Sequence, residues 1–388
     1  MFHFLKRKKL TGVTELAIVG LITIFGLSLI DTIWAVYLDS LINNASLVGF
    51  ISAGLTIVAI VTDLFLTPLF QTRKSTTLFF ISLCVHAVIY CCFAINKSVW
   101  IFIVLAIIVT IGKELYDEAF ELLLRKESKQ SNIAQNEGFI FSVENVGWLV
   151  GPLLSGAIAS IFNVSIVFVL ASVFLVISAI TFKFYNLHEK HVEVKHVDNN
   201  ILKNIVDFLK NKELVKGFIV GMGLFYWWAM MYIFVPLYML EKNLPPYLIG
   251  IFLFAIVIPL IALEYQVGKL TDKSSFKMMF TVALLIVSSC AVLAFFSTNV
   301  YLTLLFLILA SFGMAIIEPN IYSYFFKVVK TEKQQAKYFG TYQISYVGNF
   351  IGKALAATVL LFLSFEYVFL TAGIFMFLLI FVARTMKV

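Results

Sequence analysis

Charge is scarce in this chain: Asp, Glu, Lys and Arg supply only 13% of 388 residues, where a soluble domain carries roughly a quarter. That shortage argues against a water-soluble domain. The formal net charge of +7 would suggest nucleic acid as a partner in a soluble protein, but here the placement of the basic residues accounts for it and no nucleic acid is expected. Cysteine is sparse too. Cys84, Cys91, Cys92 and Cys290 all fall inside apolar runs, which excludes an extracellular disulfide framework. Also missing are a nucleophile with a neighbouring base, a glycine-rich phosphate loop and a metal-ligand cluster at a usable spacing. An enzyme, a cofactor and an ATP-driven pump are therefore not expected. His188, His191 and His196 crowd one polar segment, but their spacing fits no closed metal site and a solvated linker accounts for them.

What fills the chain instead is hydrophobic sequence, 61% of it. Apolar runs long enough to cross a bilayer, about 20 residues each, recur twelve times. They lie at about 13 to 37, 46 to 68, 76 to 95, 99 to 123, 136 to 161 and 164 to 185, then 217 to 240, 247 to 268, 276 to 296, 299 to 326, 338 to 363 and 366 to 384. The first run follows a basic start, yet its length, Asp31 and the lack of a small-residue cleavage site identify it as a span rather than a signal peptide. Only the connection from 186 to 216 is long. Within it, Ile201, Ile205, Phe208 and Leu209 share one helical face with Lys203, Asp207 and Lys210 opposite, the pattern of an amphipathic helix on a membrane surface. Of the 29 Lys and Arg residues, Lys97 and Lys242 lie on one side of this arrangement, Lys113 and Lys353 lie within spans, and the rest lie on the other side. The positive-inside rule then makes both termini and the central loop cytoplasmic. The expectation is an all-α, multi-pass protein of the plasma membrane, monomeric in the lipid bilayer.

A repeat at an offset of 201 residues divides the spans into two six-helix halves, 1 to 185 and 217 to 388, with a cytoplasmic linker from 186 to 216. Gly49 maps onto Gly250, Gly112 onto Gly313, Gly147 onto Gly348, Gly151 onto Gly352 and Tyr37 onto Tyr238. The same offset pairs Asp117 with Glu318 and Asp63 with Glu264. In the fifth span Gly147, Gly151 and Ser155 make a small-residue face with Pro152 and Gly156 beside it, a seam that lets helices approach closely. The seam is expected to be a tight contact that limits leakage between the halves. Its second-half counterpart places Lys353 where Pro152 stands.

Twelve spans in two six-helix halves with a long cytoplasmic loop resemble the major facilitator superfamily of secondary transporters, over nearly the whole chain. Gly268, Asp272, Lys273 and Lys277 resemble that family's cytoplasmic signature. The stretch from Asn145 to Gly156 resembles the glycine-proline motif of the fifth helix associated with antiporters, drug exporters in particular, with Ser155 in place of a glycine. Two departures stand out. The loop after the second span keeps only the basic pair Arg73 and Lys74, and Ala106 stands where drug exporters carry an arginine. The resemblance implies alternating access around a central site built from helices one, four, seven and ten.

Charged residues inside spans carry the functional signal, because each costs at least about 2.5 to 3.5 kcal/mol near the bilayer centre. Lys113, Asp117 and Glu121 share a face of the fourth span, with Lys113 as counter-ion to Asp117 and Arg125 as partner to Glu121. Glu114 lies beside them. Lys113, Glu114, Asp117, Glu318, Lys353 and Asp31 are the expected proton or ion-coupling set, with Asp117 and Lys113 as acid and lysine of the first half and Glu318 and Lys353 as those of the second. Static interhelical ion pairs are the alternative. Trp34, one turn after Asp31, suits a cationic or sugar-like ligand. Glu144 and Asn145 are placed to reach Lys113, and Asp63 and Glu264 lie near cytoplasmic helix ends as gate or signature-loop partners. Phe225 to Tyr232 in the seventh span is an aromatic run. Some of it is expected to face lipid, with Tyr226 and Tyr232 turned to a cavity. These features predict a secondary transporter of a small molecule, exporting an amphipathic or cationic compound against protons. An importer of a sugar, amino acid or other metabolite is the alternative, and a non-transporting sensor or lipid-moving protein is the alternative of another class.

Overall fold

The computed structural model describes residues 12–128, 133–185, 201–271 and 275–387. All regular structure among them is helical, as hydrocarbon requires of a chain whose backbone groups must bond within their own segment. The helices are α1 (Gly12–Ile42), α2 (Ala45–Thr72), α3 (Ser75–Ile95), α4 (Val99–Glu127), α5 (Ile133–Ile161), α6 (Val164–Tyr185), α7 (Ile201–Lys210), α8 (Lys212–Ala229), α9 (Val235–Glu241), α10 (Pro246–Thr271), α11 (Phe276–Phe296), α12 (Val300–Val328), α13 (Glu332–Gln343), α14 (Val347–Phe362) and α15 (Phe365–Arg384). A π-helical turn, Met230–Phe234, joins α8 to α9 without a break. Among the described residues eleven stretches are long and apolar enough to cross a membrane, α8 and α9 counting as one. α13 and α14 likewise contribute one stretch, Lys337–Phe362, so the helices outside that set are the short α7 and the long α5. The 29 residues of α5 exceed the roughly 20 that span hydrocarbon, but Asn136, Glu144 and Asn145 make its first half polar.

By internal contacts the chain falls into two compact units. One comprises Met1–Ile30, Val61–Gly151 and Phe162–Glu193, the other Asp31–Ile60, Pro152–Ile161 and Val194–Val388. In the first unit α3 packs on α4 and α6, and Gly112 of α4 admits the ring of His86 from α3. Gly147 and Gly151 of α5 lie on Ile24 and Ser28 of α1, and the Ser28 hydroxyl donates to the Gly147 carbonyl at 3.1 Å. In the second unit α11 packs on α12 and α15, and Gly313 of α12 sits on the Ala283 backbone of α11. Gly348 and Gly352 of α14 lie on the backbone of α8 at Met222 and Tyr226. The glycines spaced by 201 residues thus occupy corresponding interfaces, fourth span on third and fifth on first in one case, tenth on ninth and eleventh on seventh in the other.

The seam of α5 divides. Gly147 and Gly151 hold α5 against α1, its own half's first span. Gly156 belongs to the second unit, where a methyl group on it would lie 2.8 Å from the Pro246 carbonyl oxygen of α10 and 3.1 Å from the Gly250 Cα. The division falls at Pro152, where α5 lacks a backbone donor.

The aromatic run of α8 also differs from expectation. No residue from Phe225 to Tyr232 is exposed, because α12, α14 and α15 surround the helix. A helix apolar on all sides belongs in the interior, and the run reflects that rather than lipid contact.

The amphipathic helix α7 forms as expected, but protein holds part of its apolar face. Phe208 is buried among Phe218, Tyr338 and Tyr342, while Val206 and Leu209 remain exposed. Asp207 accepts from Lys337 at 2.5 Å and from Lys210 at 3.1 Å, and these donors hold its carboxyl below the usual carboxylate range. A depressed folded-state value stabilises above the unfolded pKa, near 4, and the benefit disappears as pH falls through the lower folded value. Hydrogen exchange should therefore find the α7 amides equally protected at pH 7 and pH 5, with protection falling only in stronger acid. Asp207→Asn should lose the acid dependence.

Close packing yields a second expectation. Gly348→Val drives a side chain into the Met222 backbone and should destabilise by about 1–3 kcal/mol, the usual range for overpacking. Gly54→Val, at a position with nothing within 4 Å, should leave the unfolding midpoint in detergent almost unchanged.

Candidate functional site

In the second unit, four side chains from different helices lie at one depth. Asp31 is eleven residues from the Ile42 end of α1, Thr56 eleven from the Ala45 start of α2, Tyr232 nine from the Glu241 end of α9 and Lys353 nine from the Phe362 end of α14. At about 1.5 Å per residue they sit about 14–17 Å in, close to half of an approximately 30 Å hydrocarbon core. The Lys353 Nζ donates to the Thr56 Oγ1 at 3.0 Å. That hydroxyl lies 3.1 Å from the Ser52 carbonyl oxygen and 3.2 Å from the Asn349 Oδ1, so its single proton serves one of two acceptors. Asp31 lies within electrostatic reach of both Lys353 and Tyr232, and Glu318 within reach of Tyr232.

The π-helical turn holding Tyr232 has a local cause. Pro236 has no N–H for the Tyr232 carbonyl four residues back, and its ring would collide with that carbonyl in a regular helix. The backbone widens, and the Val235 N–H reaches the Met230 carbonyl instead. Single π turns of this kind occur often at functional sites.

Glu318 is eighteen residues into α12, well past the level of Lys353. The second half therefore does not repeat the acid–lysine pair of the first, because Lys353 turns to Thr56. Trp34 is partly buried on α1 beyond Asp31. Tyr226 is fully buried and stacks on Phe375 with ring centroids 4.4 Å apart. It fills the contact between α8 and α15 and does not face a cavity. Thr56 and Asn349, which complete the Lys353 cluster, carried no sequence signal, being neutral and unmatched across the repeat. Pro236, four residues after Tyr232 inside a span, was the signal available for the π turn.

The first unit holds the other charged set. Lys113 and Asp117 pair at 2.7 Å as their spacing predicted, each side chain 46% exposed, and Arg125 pairs with Glu121. Asp63 of α2 lies beside Glu114, within electrostatic reach of it. Glu144 of α5 rests its Oε1 over Gly20 of α1, 2.6 Å from where a β-carbon would lie, and Asn145 is half-buried next to it. Arg73, Lys74 and Lys277 are exposed near helix ends. Asp272 and Lys273 lie outside the described residues, as do the side chain of Glu264 and the surroundings of Gly268. His188, His191 and His196 lie outside them too.

The profile of the Major Facilitator Superfamily matches residues 16–346 and 249–387. No curated protein sequence matches the chain. Among solved structures, the nucleoside transporter NupG is 12% identical, with a TM-score of 0.77 over 97% of this chain and 99% of that one. A POT family transporter in complex with 5-aminolevulinic acid is 11% identical, with a TM-score of 0.77 over 96% and 94%. The peptide transporter POT in complex with sulfate is 11% identical, with a TM-score of 0.75 over 97% and 93%. At such identities the similarity establishes the fold.

The exposure of the Lys113–Asp117 pair has a measurable consequence. Half-exposed ion pairs contribute at most about 1 kcal/mol, so Asp117→Asn should shift stability by less than that in chemical unfolding. A larger loss would identify the pair as a structural lock.

Proposed function

This chain belongs to the Major Facilitator Superfamily, and we propose that it is a proton-coupled secondary transporter that exports a small amphipathic or cationic compound across the plasma membrane by alternating access. The observation that carries this reading is charge of both signs placed at membrane depth. In one unit Asp31 and Glu318 lie within electrostatic reach of Tyr232, and Lys353 within reach of Asp31, while Lys113, Asp117, Asp63 and Glu114 lie near one another in the other. A carboxylate in such surroundings binds a proton when desolvated and releases it when a cation or water approaches. Alternating access supplies those two surroundings in turn.

In this reading the halves 1 to 185 and 217 to 388 are the moving bodies of a monomer, joined by the cytoplasmic segment from 186 to 216. Protons and a small molecule are its ligands, the lipid bilayer is its surroundings, and no nucleic acid or cofactor takes part. Export rests on the glycine-proline stretch from Asn145 to Gly156. Import of a metabolite is the second reading, favoured by likeness to a nucleoside transporter and to a POT family transporter holding 5-aminolevulinic acid.

Purified protein in vesicles under an imposed pH gradient, offered a broad panel of compounds, tests this directly. Gradient-driven accumulation of at least one compound is expected. Asp31→Asn and Glu318→Gln should each reduce it at least about tenfold, equivalent to about 1.4 kcal/mol on the barrier, while gradient-free exchange of the same compound persists. The sign of the gradient response separates export from import. Absence of any driven flux would leave a sensor or lipid-moving role on the same fold.

A further inference from the structure

We propose that Lys353, Asn349 and Thr56 form a subsite for a carboxylate group on the transported molecule. The inference rests on the transporter reading only in treating this cluster as part of the cargo site. It begins from an imbalance of donors and acceptors. A lysine at this depth is expensive unless its charge is met, and Asp31 is the carboxylate whose charge reaches it. Its hydrogen-bond partner is a neutral hydroxyl. An ammonium group has three N–H bonds, so two remain after Thr56 is served.

Asn349 adds to the surplus. Its Oδ1 is the acceptor offered to Thr56, which assigns the amide NH2 to the opposite side with two further donors. Asn349 and Lys353 are four residues apart on α14, so their side chains lie one above the other on one helix face. The result is a donor-rich patch with a single positive charge. Asp31, at the same depth, acts on Lys353 electrostatically.

The charge balance selects the ligand chemistry. One ammonium flanked by a neutral amide matches a singly charged, planar carboxylate, which accepts from both donors at once. A phosphate dianion would carry one charge more than Lys353 meets and would be opposed by Asp31. Asp31 then offers a complementary position for a cationic group elsewhere on the same molecule. The transported compound is on this account an organic acid or an amphoteric molecule rather than a simple lipophilic cation.

Binding alone tests this, without any transport assay. The full-length protein in nanodiscs of neutral lipid would be titrated with benzoate, and separately with inorganic phosphate, replacing chloride at constant ionic strength, while the thermal unfolding midpoint is followed. A ligand that binds only the folded state raises that midpoint saturably. Benzoate should raise it by a few degrees in the wild type and in Lys353→Arg, and should fail to do so in Lys353→Gln. Asn349→Asp, which keeps the acceptor for Thr56 but adds a negative charge, should also abolish the shift, and it decides the matter if Lys353→Gln does not fold. No saturable shift with benzoate, or one undiminished in the variants, overturns the subsite, and a larger shift with phosphate overturns its assignment to carboxylate. A saturable shift lost in the variants, combined with no proton-driven flux, would keep the subsite and reject the coupling.

Discussion

Hydrocarbon supplies no hydrogen bonds, and the structure follows from that constraint. Backbone groups bond within helices throughout the apolar stretches. Even where Pro236 interrupts the ladder, the chain answers with a π turn that re-pairs the Val235 N–H with the Met230 carbonyl instead of opening a loop. Charged side chains obey the same rule by other means. Lys113 meets Asp117, Glu114 meets Asp63, and Lys353 meets a hydroxyl.

Because lipid is as apolar as leucine, helix association in it depends on close contact rather than on water exclusion. The glycines supply that contact. Gly147 and Gly151 bring α5 against α1, and Gly348 and Gly352 bring α14 against α8. A bond from Ser28 to the Gly147 carbonyl adds a polar tie in the first case. In the second the backbones approach until Gly348 lies against the Met222 carbonyl. The repeat is therefore a repeat of packing requirements, and the charged residues are laid over it differently in each half.

Likeness of fold at 11–12% identity to transporters of nucleosides and peptides fits this view. The fold asks for apolar length, helix order and small residues at a few crossings, which many sequences satisfy. Function resides in the side chains set on that frame. Here Ala106 is completely buried in α4, so the position at which drug exporters resemble one another is used for packing, and charge enters two to three turns later at Lys113 and Asp117.

The sequence by itself determined the helical class, the repeat, the family and the pairs that lie within one helix. Each of these depends on local spacing or on composition, so Lys113–Asp117 and Arg125–Glu121 were readable from four-residue intervals. Tertiary structure decided whatever depends on which helix stands beside which. It buried the aromatic run of α8 on every side, turned Tyr226 into packing and divided the α5 seam at Pro152. It also placed Glu114 beside Asp63 and gave Lys353 to Thr56. A spacing of four residues fixes a neighbour on one helix, whereas a partner 297 residues away is selected by crossing position and depth, which no local pattern encodes.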